Sequence, residues 1–365
     1  MLKEIEIQNF RCFEQIQISG FERVNLIGGK NNAGKTALLE AIFLYVAPKP
    51  SSILFLRELR KESSLVMKAM PDKAWDNLFH VRGKEKSILI IGTDDNNDTD
   101  QFTIQPCIDP TTIYRKDIDP KTIDPTSIHL SRSRTNKSNK FSLSVSNTGS
   151  NDSLIASSKG LINGSNTIIT DAIPTPGELP IIPSFTRISG IELTEAYDRA
   201  RLNEKDSEVL KAFQVIDPAI ESVESFYIGE PTLYLRRKGE KRLPLSLFGD
   251  AMNRVAEIIL KLINSEDKIL LIDEIENGIH YKSQPEFWRV LFRLAVELDT
   301  QIFATTHSLE MLQAFAKVGL EQNQECSSAY FELAKKLKTN QIIGSRLDLE
   351  TLNYALEHQE GVRGE

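Results

Sequence analysis

Ile27-Gly28-Gly29-Lys30-Asn31-Asn32-Ala33-Gly34-Lys35-Thr36 fits the pattern G-x-x-x-x-G-K-[ST] from Gly29 onward. The stretch lies between an apolar run, Val24 to Ile27, that reads as a strand and an amphipathic run, Lys35 to Val46, that reads as a helix stopped by Pro48. That is the context a phosphate-binding loop needs. Its glycines let successive N–H groups point inward around an anion, Lys35 reaches the β and γ phosphates, and Thr36 offers a hydroxyl to Mg2+. Gly29, Lys30, Asn31, Asn32, Ala33, Gly34, Lys35 and Thr36 are therefore the predicted contacts to a nucleoside triphosphate. The loop alone does not say what the triphosphate is for.

Composition sets the outer bounds. With 365 residues, 40% of them hydrophobic, the chain can bury the core of one large or two ordinary domains. No apolar run approaches the roughly 20 residues that span a bilayer. The opening Met1-Leu2-Lys3-Glu4 is charged rather than signal-like, so a soluble cytoplasmic protein is expected. Cys12, Cys107 and Cys326 stand far apart with no C-x-x-C spacing, which offers neither a disulfide framework nor a zinc site. A net charge of -7 disfavours coating nucleic acid over the whole surface and leaves room for a local basic groove.

Before the loop, Leu2, Ile5 and Ile7 alternate with polar residues, and Ile16 and Ile18 repeat the alternation after Phe10-Arg11-Cys12-Phe13. This predicts a hairpin. After the loop helix, residues 51–85 mix helix-length charged pieces such as Leu56 to Glu62 with Trp75 and Phe79, and Ser87 to Gly92 returns to strand. From about Asp94 to Pro183 the chain turns rich in Asp, Asn, Thr, Ser and Pro, with an echo at Ile108-Asp109-Pro110, Ile118-Asp119-Pro120 and Ile123-Asp124-Pro125. Proline at that density forbids a continuous helix and predicts a surface insertion of short strands and loops, partly disordered, or else a recognition surface.

Order resumes with helical spacing over Leu193 to Leu202 and Ser207 to Val215, strands over Ser222 to Tyr227 and Thr232 to Arg236, and a helix over Ala251 to Ile263. Ile269 to Ile272 and Gln301 to Ala304 read as strands; Gln284 to Leu298 and Leu349 to Glu357 read as helices. The expected organisation is 1–93 and 246–322 as the two halves of a nucleotide-binding core, 94–184 as the insertion, 185–245 leading to the second half, and 323–365 as a C-terminal cap.

Two further constellations carry chemistry. Ile269-Leu270-Leu271-Ile272-Asp273-Glu274 is an apolar strand ending in two carboxylates at the sheet edge where α/β folds place ligands. With a phosphate loop upstream, Asp273 is expected to share Mg2+ with Thr36, and Glu274 to act as general base on the attacking water. Gln301-Ile302-Phe303-Ala304-Thr305-Thr306-His307-Ser308 runs from the next strand into a polar turn, where the His307 imidazole can reach the γ-phosphate. A third stretch, Leu245-Ser246-Leu247-Phe248-Gly249-Asp250-Ala251, is a Ser/Gly turn opening a helix, which can bind phosphate or can simply be a capped helix with Ser246 or Asp250 as cap.

The order of these motifs resembles the ABC-type ATPases, and within them the RecF, SMC and OLD-like branch, in particular the stand-alone AAA-type ATPases found beside prokaryotic genome-defence nucleases. The opening Ile5-Glu6-Ile7-Gln8-Asn9-Phe10-Arg11 is similar to that branch's first strand, whose arginine, here Arg11, approaches the nucleotide. Glu276-Asn277-Gly278 looks like the D-loop. Ser246, Gly249 and Asp250 look like the signature motif that completes the partner subunit's site in trans. Ala251 stands where relatives commonly have another glycine, and Gln101 and Gln105 are both candidates for the glutamine loop. The resemblance covers roughly residues 1–47 and 185–320.

It implies an α/β fold, an ABC-type P-loop NTPase with a mixed central sheet, N-terminal antiparallel strands and a helical lobe. It also implies ATP and Mg2+ as ligands, ATP hydrolysis, and a homodimer, or a multiple of dimers, that sandwiches nucleotide and gates a separate effector, expected to be a nuclease on another chain, because the tail after His307 is too short for the Toprim domain that follows the ATPase in OLD nucleases. A RecF-like ATP-dependent DNA-binding protein in repair is the alternative. An SMC-type clamp would need a long coiled coil that the proline-rich middle does not supply. A kinase sharing the loop would have no use for the carboxylate pair followed by Thr-Thr-His.

Overall fold

The computed structural model describes residues 1–62, 75–80, 87–108, 123–134, 137–147, 154–160, 179–185, 187–265, 268–336 and 338–358. The expected hairpin is β1 (Leu2–Phe10) with β2 (Phe13–Ser19), paired antiparallel with Ile7 opposite Ile16. β4 (Ile88–Asp94) pairs with the other edge of β1, and β5 (Thr99–Ile108), β6 (Ile123–Arg134), β7 (Lys137–Asn147) and β8 (Leu154–Gly160) continue the ladder into a seven-stranded sheet of order β2-β1-β4-β5-β6-β7-β8. Each of its pairings is antiparallel.

The second sheet carries the loop. β3 (Val24–Gly29) lies inside a six-stranded sheet with β9 (Ile181–Ile182), β13 (Ile269–Ile272), β14 (Gln301–Thr305), β15 (Ser328–Lys335) and β16 (Ile342–Leu347), in the order β16-β15-β3-β14-β13-β9. All neighbours in it run parallel except β16 with β15. Parallel strands covered on both faces carry apolar side chains on both. Leu270 and Ile272 face one core and Leu271 the other; Val24 and Leu26 oppose Ile27 in the same way. In the second core, Phe21 packs edge-on against Phe303 and Phe331 with ring centroids 5.0 Å apart in each case.

Helix α1 (Lys35–Val46) lies between the two sheets and is buried from Ala37 to Leu44. It is followed by α2 (Pro50–Leu59), where Pro50 sits at the helix start that tolerates it. The other face of the six-stranded sheet is covered by α5 (Asp250–Asn264), α6 (Gln284–Glu297), α7 (Leu309–Glu321) and α8 (Leu349–Glu357). α3 (Gly190–Leu202) and α4 (Asp206–Ile216) pack on α5 beside a small sheet of β10 (Ile220–Ile228), β11 (Glu230–Arg237) and β12 (Leu243–Pro244). Ser189 and Glu192 form a reciprocal capping box that starts α3. This is the fold class the sequence predicts, with a mixed sheet, an antiparallel sheet and a helical lobe.

Two expected boundaries differ from the fold. β5 lies wholly beyond residue 94, yet it pairs with β4 and buries Phe102 and Ile104 in the core under α1, so the antiparallel sheet continues where a surface insertion was expected. β6 and β7 are long strands of 12 and 11 residues rather than short ones. Residues 109–122, 135–136, 148–153 and 161–178 of that segment, on which the expected partial disorder also bears, lie outside the described ones. The segment 323–365 is also more than a cap: β15 pairs directly with β3, and buried Ala329, Phe331 and Leu333 help close the core below the phosphate loop. Ala329, Phe331 and Leu333 alternate onto this face, while Tyr330 points into the opposite core, so β15 is covered on both faces.

Candidate nucleotide site

Strand register assembles the site. Ile27 is level with Thr305, and Ile272 with Ala304, so β3, β14 and β13 end together and deliver Gly29, Thr306 and Asp273 to one sheet edge. The loop between β3 and α1 uses left-handed backbone at Gly29 (φ 127°), Asn32 (φ 64°) and Gly34 (φ 94°). A Cβ on Gly34 would lie 2.9 Å from the Phe13 ring and 3.0 Å from Cys12 Sγ, so the position admits glycine alone. Helix α1 begins with no side-chain cap, as a helix N-terminus built to face an anion requires. Lys35 Nζ folds back over the loop and donates to the carbonyls of Gly29 at 2.6 Å and Lys30 at 3.0 Å. Burial lowers the Lys35 pKa, opposed by the charges of Asp273, Glu276 and Glu274.

Thr36 Oγ1 lies 3.3 and 3.2 Å from the two carboxylate oxygens of Asp273. A hydroxyl and a buried carboxylate meeting beside a phosphate loop are hard oxygen donors of the kind Mg2+ takes, so the residues present fit that ion. Burial raises the Asp273 pKa, while hydrogen bonds from Thr305 and Thr36 pull it down. Glu274 follows with φ 48°, its N–H donating to Thr305 Oγ1 at 2.8 Å and its Oε2 accepting from Asn277 Nδ2 at 2.9 Å. The left-handed turn directs the second carboxylate away from Asp273 and toward the cavity. His307 adjoins it: its Nδ1 is 3.9 Å from Glu274 Oε1 and 3.0 Å from Glu276 Oε1, which also accepts the His307 main-chain N–H at 2.9 Å.

These groups border a cavity of about 580 Å3 lined by Asn31, Asn32, Ala33, Gly34, Lys35, Thr36, Glu274 and His307 at its phosphate end. Its other end is formed by Arg11, Cys12, Arg60, Asn77, Phe79 and His80. Gly29 and Lys30 line an adjoining cavity. Arg11 thus lines the cavity with part of its guanidinium held by the protein: Nε donates to Glu40 Oε2 at 2.9 Å and Nη1 to the Asn77 carbonyl at 2.8 Å, while the buried Nη2 has no hydrogen-bond partner. Glu40, on α1 and 1% exposed, also accepts from Arg60 Nε at 2.7 Å. Neither Glu40 nor Arg60 is marked by a motif, and only the folded chain brings them to the cavity.

Ser246, Gly249 and Asp250 stand elsewhere. All three are exposed, Gly249 (φ 85°) precedes α5, and Ser246 borders a separate groove with Thr232 and Asn253. Gly278 (φ 81°) passes close under them: a Cβ there would be 3.2 Å from the Ala251 nitrogen. Asn277 also donates to the Ser184 carbonyl at 3.2 Å. Of the glutamine candidates, Gln101 bonds to Thr103 within β5 at 3.3 Å and does not line the cavity, and the Gln105 side chain lies outside the described residues.

Sequence reading passes over two residues that organise the site. Thr305 is quoted in the Thr-Thr-His run, yet its hydroxyl donates to the Asp273 carboxylate and accepts the Glu274 main-chain N–H. Arg254, fully buried on α5, donates to the Asp273 carbonyl at 2.8 Å and the Pro183 carbonyl at 3.0 Å. A signal for it exists, since Arg254, Glu257 and Lys261 interrupt an otherwise apolar helix face.

Phosphate loop, carboxylate strand and histidine turn on this sheet order define the fold of a P-loop NTPase of the ABC type. The chain belongs to the family described as "AAA domain, putative AbiEii toxin, Type IV TA system", whose profile matches residues 24–312. It is similar to an ATP/GTP phosphatase of Helicobacter pylori, 24% identical over 385 aligned positions that cover all of both chains. It also resembles the DNA replication and repair protein RecF of Bacillus thuringiensis, 38% identical over 58 residues, or 16% of each chain. Among solved structures, the SMC head domain of Thermotoga maritima superposes with a TM-score of 0.47 at 12% identity, covering 95% of this chain and 99% of that one. Among the described residues, no helix is long and apolar enough to cross a membrane.

Proposed function

We propose that this chain hydrolyses ATP in composite sites formed by two copies, and that the ATP-bound pair is a sensor or gate for a separate effector, a nuclease, in prokaryotic genome defence. The observation that carries the reading is the separation of the two halves: the phosphate cavity holds Lys35, Thr36, Glu274 and His307, while the exposed Ser246–Asp250 turn lines no part of it. A second copy supplies the missing half.

In that arrangement Lys35 Nζ exchanges the Gly29 and Lys30 carbonyls for the β and γ phosphates, and the N–H groups of residues 31–36 surround them. Thr36 and Asp273 would hold Mg2+, which neutralises charge on the phosphate oxygens when bound. Glu274, with Oε2 anchored by Asn277, presents Oε1 to a water and takes its proton. The water oxygen bonds to the γ-phosphorus, the bond to the bridging oxygen breaks, and ADP departs with that electron pair. His307, set by Glu276, senses the γ-phosphate. The name of the Helicobacter pylori relative supports triphosphate hydrolysis, and the family description names a toxin of a type IV toxin–antitoxin system.

Purified protein should release inorganic phosphate from ATP, and Glu274→Gln should bind ATP without releasing it. The effector is tested by mixing the pure protein with products of neighbouring genes, with and without ATP. Failure to bind any of them in either state, joined to ATP-dependent and salt-sensitive binding of duplex DNA, would favour the RecF-like reading instead.

A further inference from the structure

Beside the phosphate cavity lies a second one of about 630 Å3, lined by Gly28, Lys30, Asn31, His307, Leu309, Leu312 and Tyr330 among others. Its floor is apolar: Leu312 is 6% exposed and Tyr330 1%. Its rim is the phosphate loop and His307. On the far motif, the Ser246–Asp250 turn is anchored by Leu245, 4% exposed, but it turns the next leucine outward: Leu247 is 67% exposed, one residue after Ser246 and two before Gly249. Leu247 does not line the cavity of its own chain. An apolar side chain presented in the middle of a phosphate-seeking turn, and an apolar hole opening beside the phosphate loop, are complementary parts of one contact.

We propose that Leu247 of one copy inserts into the Leu309–Leu312–Tyr330 cavity of a second copy, anchoring the signature turn over the nucleotide. The inference rests on the composite-site reading and names the residue that seats it. The occupant is a second copy because the cavity shares Asn31 and His307 with the phosphate site, and under that reading the surface arriving there is the partner's Ser/Gly turn. The volume exceeds a leucine side chain and leaves room for the flanking turn. The inserted carbon would lie against Leu309 and Leu312, with the polar rim, Lys30, Asn31 and Ser308, remaining around the phosphates.

The test uses the full chain carrying Glu274→Gln, which retains ATP, and measures self-association by sedimentation. Adding Leu247→Ala should weaken ATP-dependent association at least about 10-fold and Leu247→Asp more, from the loss of one buried leucine per contact. Thermal melting and ATP binding by the monomer should not change, since Leu247 is exposed. Leu309→Ala should weaken association as well, and the double variant should lose less than the product of the two effects, as contacting residues do. Association of Leu247→Asp equal to the parent, or strictly multiplicative losses, would overturn the inference and leave the composite site standing. If the Glu274→Gln parent itself stays monomeric with ATP, the composite-site reading falls instead.

Discussion

The Thr305 hydroxyl donates to Asp273 Oδ1 at 2.6 Å and accepts the main-chain N–H of Glu274 at 2.8 Å. One buried side chain on β14 thereby fixes the Asp273 carboxylate and the backbone that carries Glu274. Thr305→Val keeps the shape and removes both bonds. It leaves a buried carboxylate short of a donor, a loss of about 1.5–3 kcal/mol, so steady-state phosphate release should fall roughly 10- to 100-fold. Thr305→Ser should recover most of the rate.

Arg254 ties the helix that follows the Ser/Gly turn to the carboxylate strand. Arg254→Met fills similar volume but strands the Asp273 and Pro183 carbonyls and takes from Glu257, 1% exposed, its ion pair with Arg254, leaving the weaker charge of Lys261. Breaking such a buried pair costs about 3–5 kcal/mol. Denaturant unfolding should show that loss, and Arg254→Met with Glu257→Leu should regain part of it.

Cys12 borders the nucleotide cavity, whereas Cys326 is buried, with its thiol pushed up to about 11. Burial raises the Cys12 pKa too, so near pH 8 its thiolate is scarce and alkylation slow. Mass spectrometry after iodoacetamide should find Cys12 modified, Cys326 unmodified, and Cys12 protected by ATP. Equal labelling of Cys12 with and without ATP would place the nucleotide elsewhere.

Gly34→Ala forces a Cβ at φ 94° into Phe13 and Cys12. ATP affinity should drop at least about 10-fold with a modest loss of stability, read by titration and melting of the same sample.

The sequence made the core legible where local pattern and global position agree. The run from Val24 to Thr36 folds as strand, loop and helix as its pattern implies, and α1 and α8 span the residues read from it. Asp273, Glu274 and His307 were visible because apolar strands ended in polar turns. Arg11 was visible only as a resemblance, and its capture by Glu40 was not, because an ion pair 29 residues apart in the chain leaves no periodic trace. The strand β15 was hidden for a different reason: Ser328 to Lys335 has no motif beside it, so its place next to β3 comes from packing alone. β5 was hidden by its polar surroundings, although Phe102 and Ile104 alternate as a half-buried strand does.

The most direct measurement is the mass of the Glu274→Gln protein in solution with and without ATP and Mg2+. A composite site predicts about 41.2 kDa without nucleotide and twice that mass with it. A protein that binds ATP yet keeps the monomer mass at micromolar concentration would contradict it.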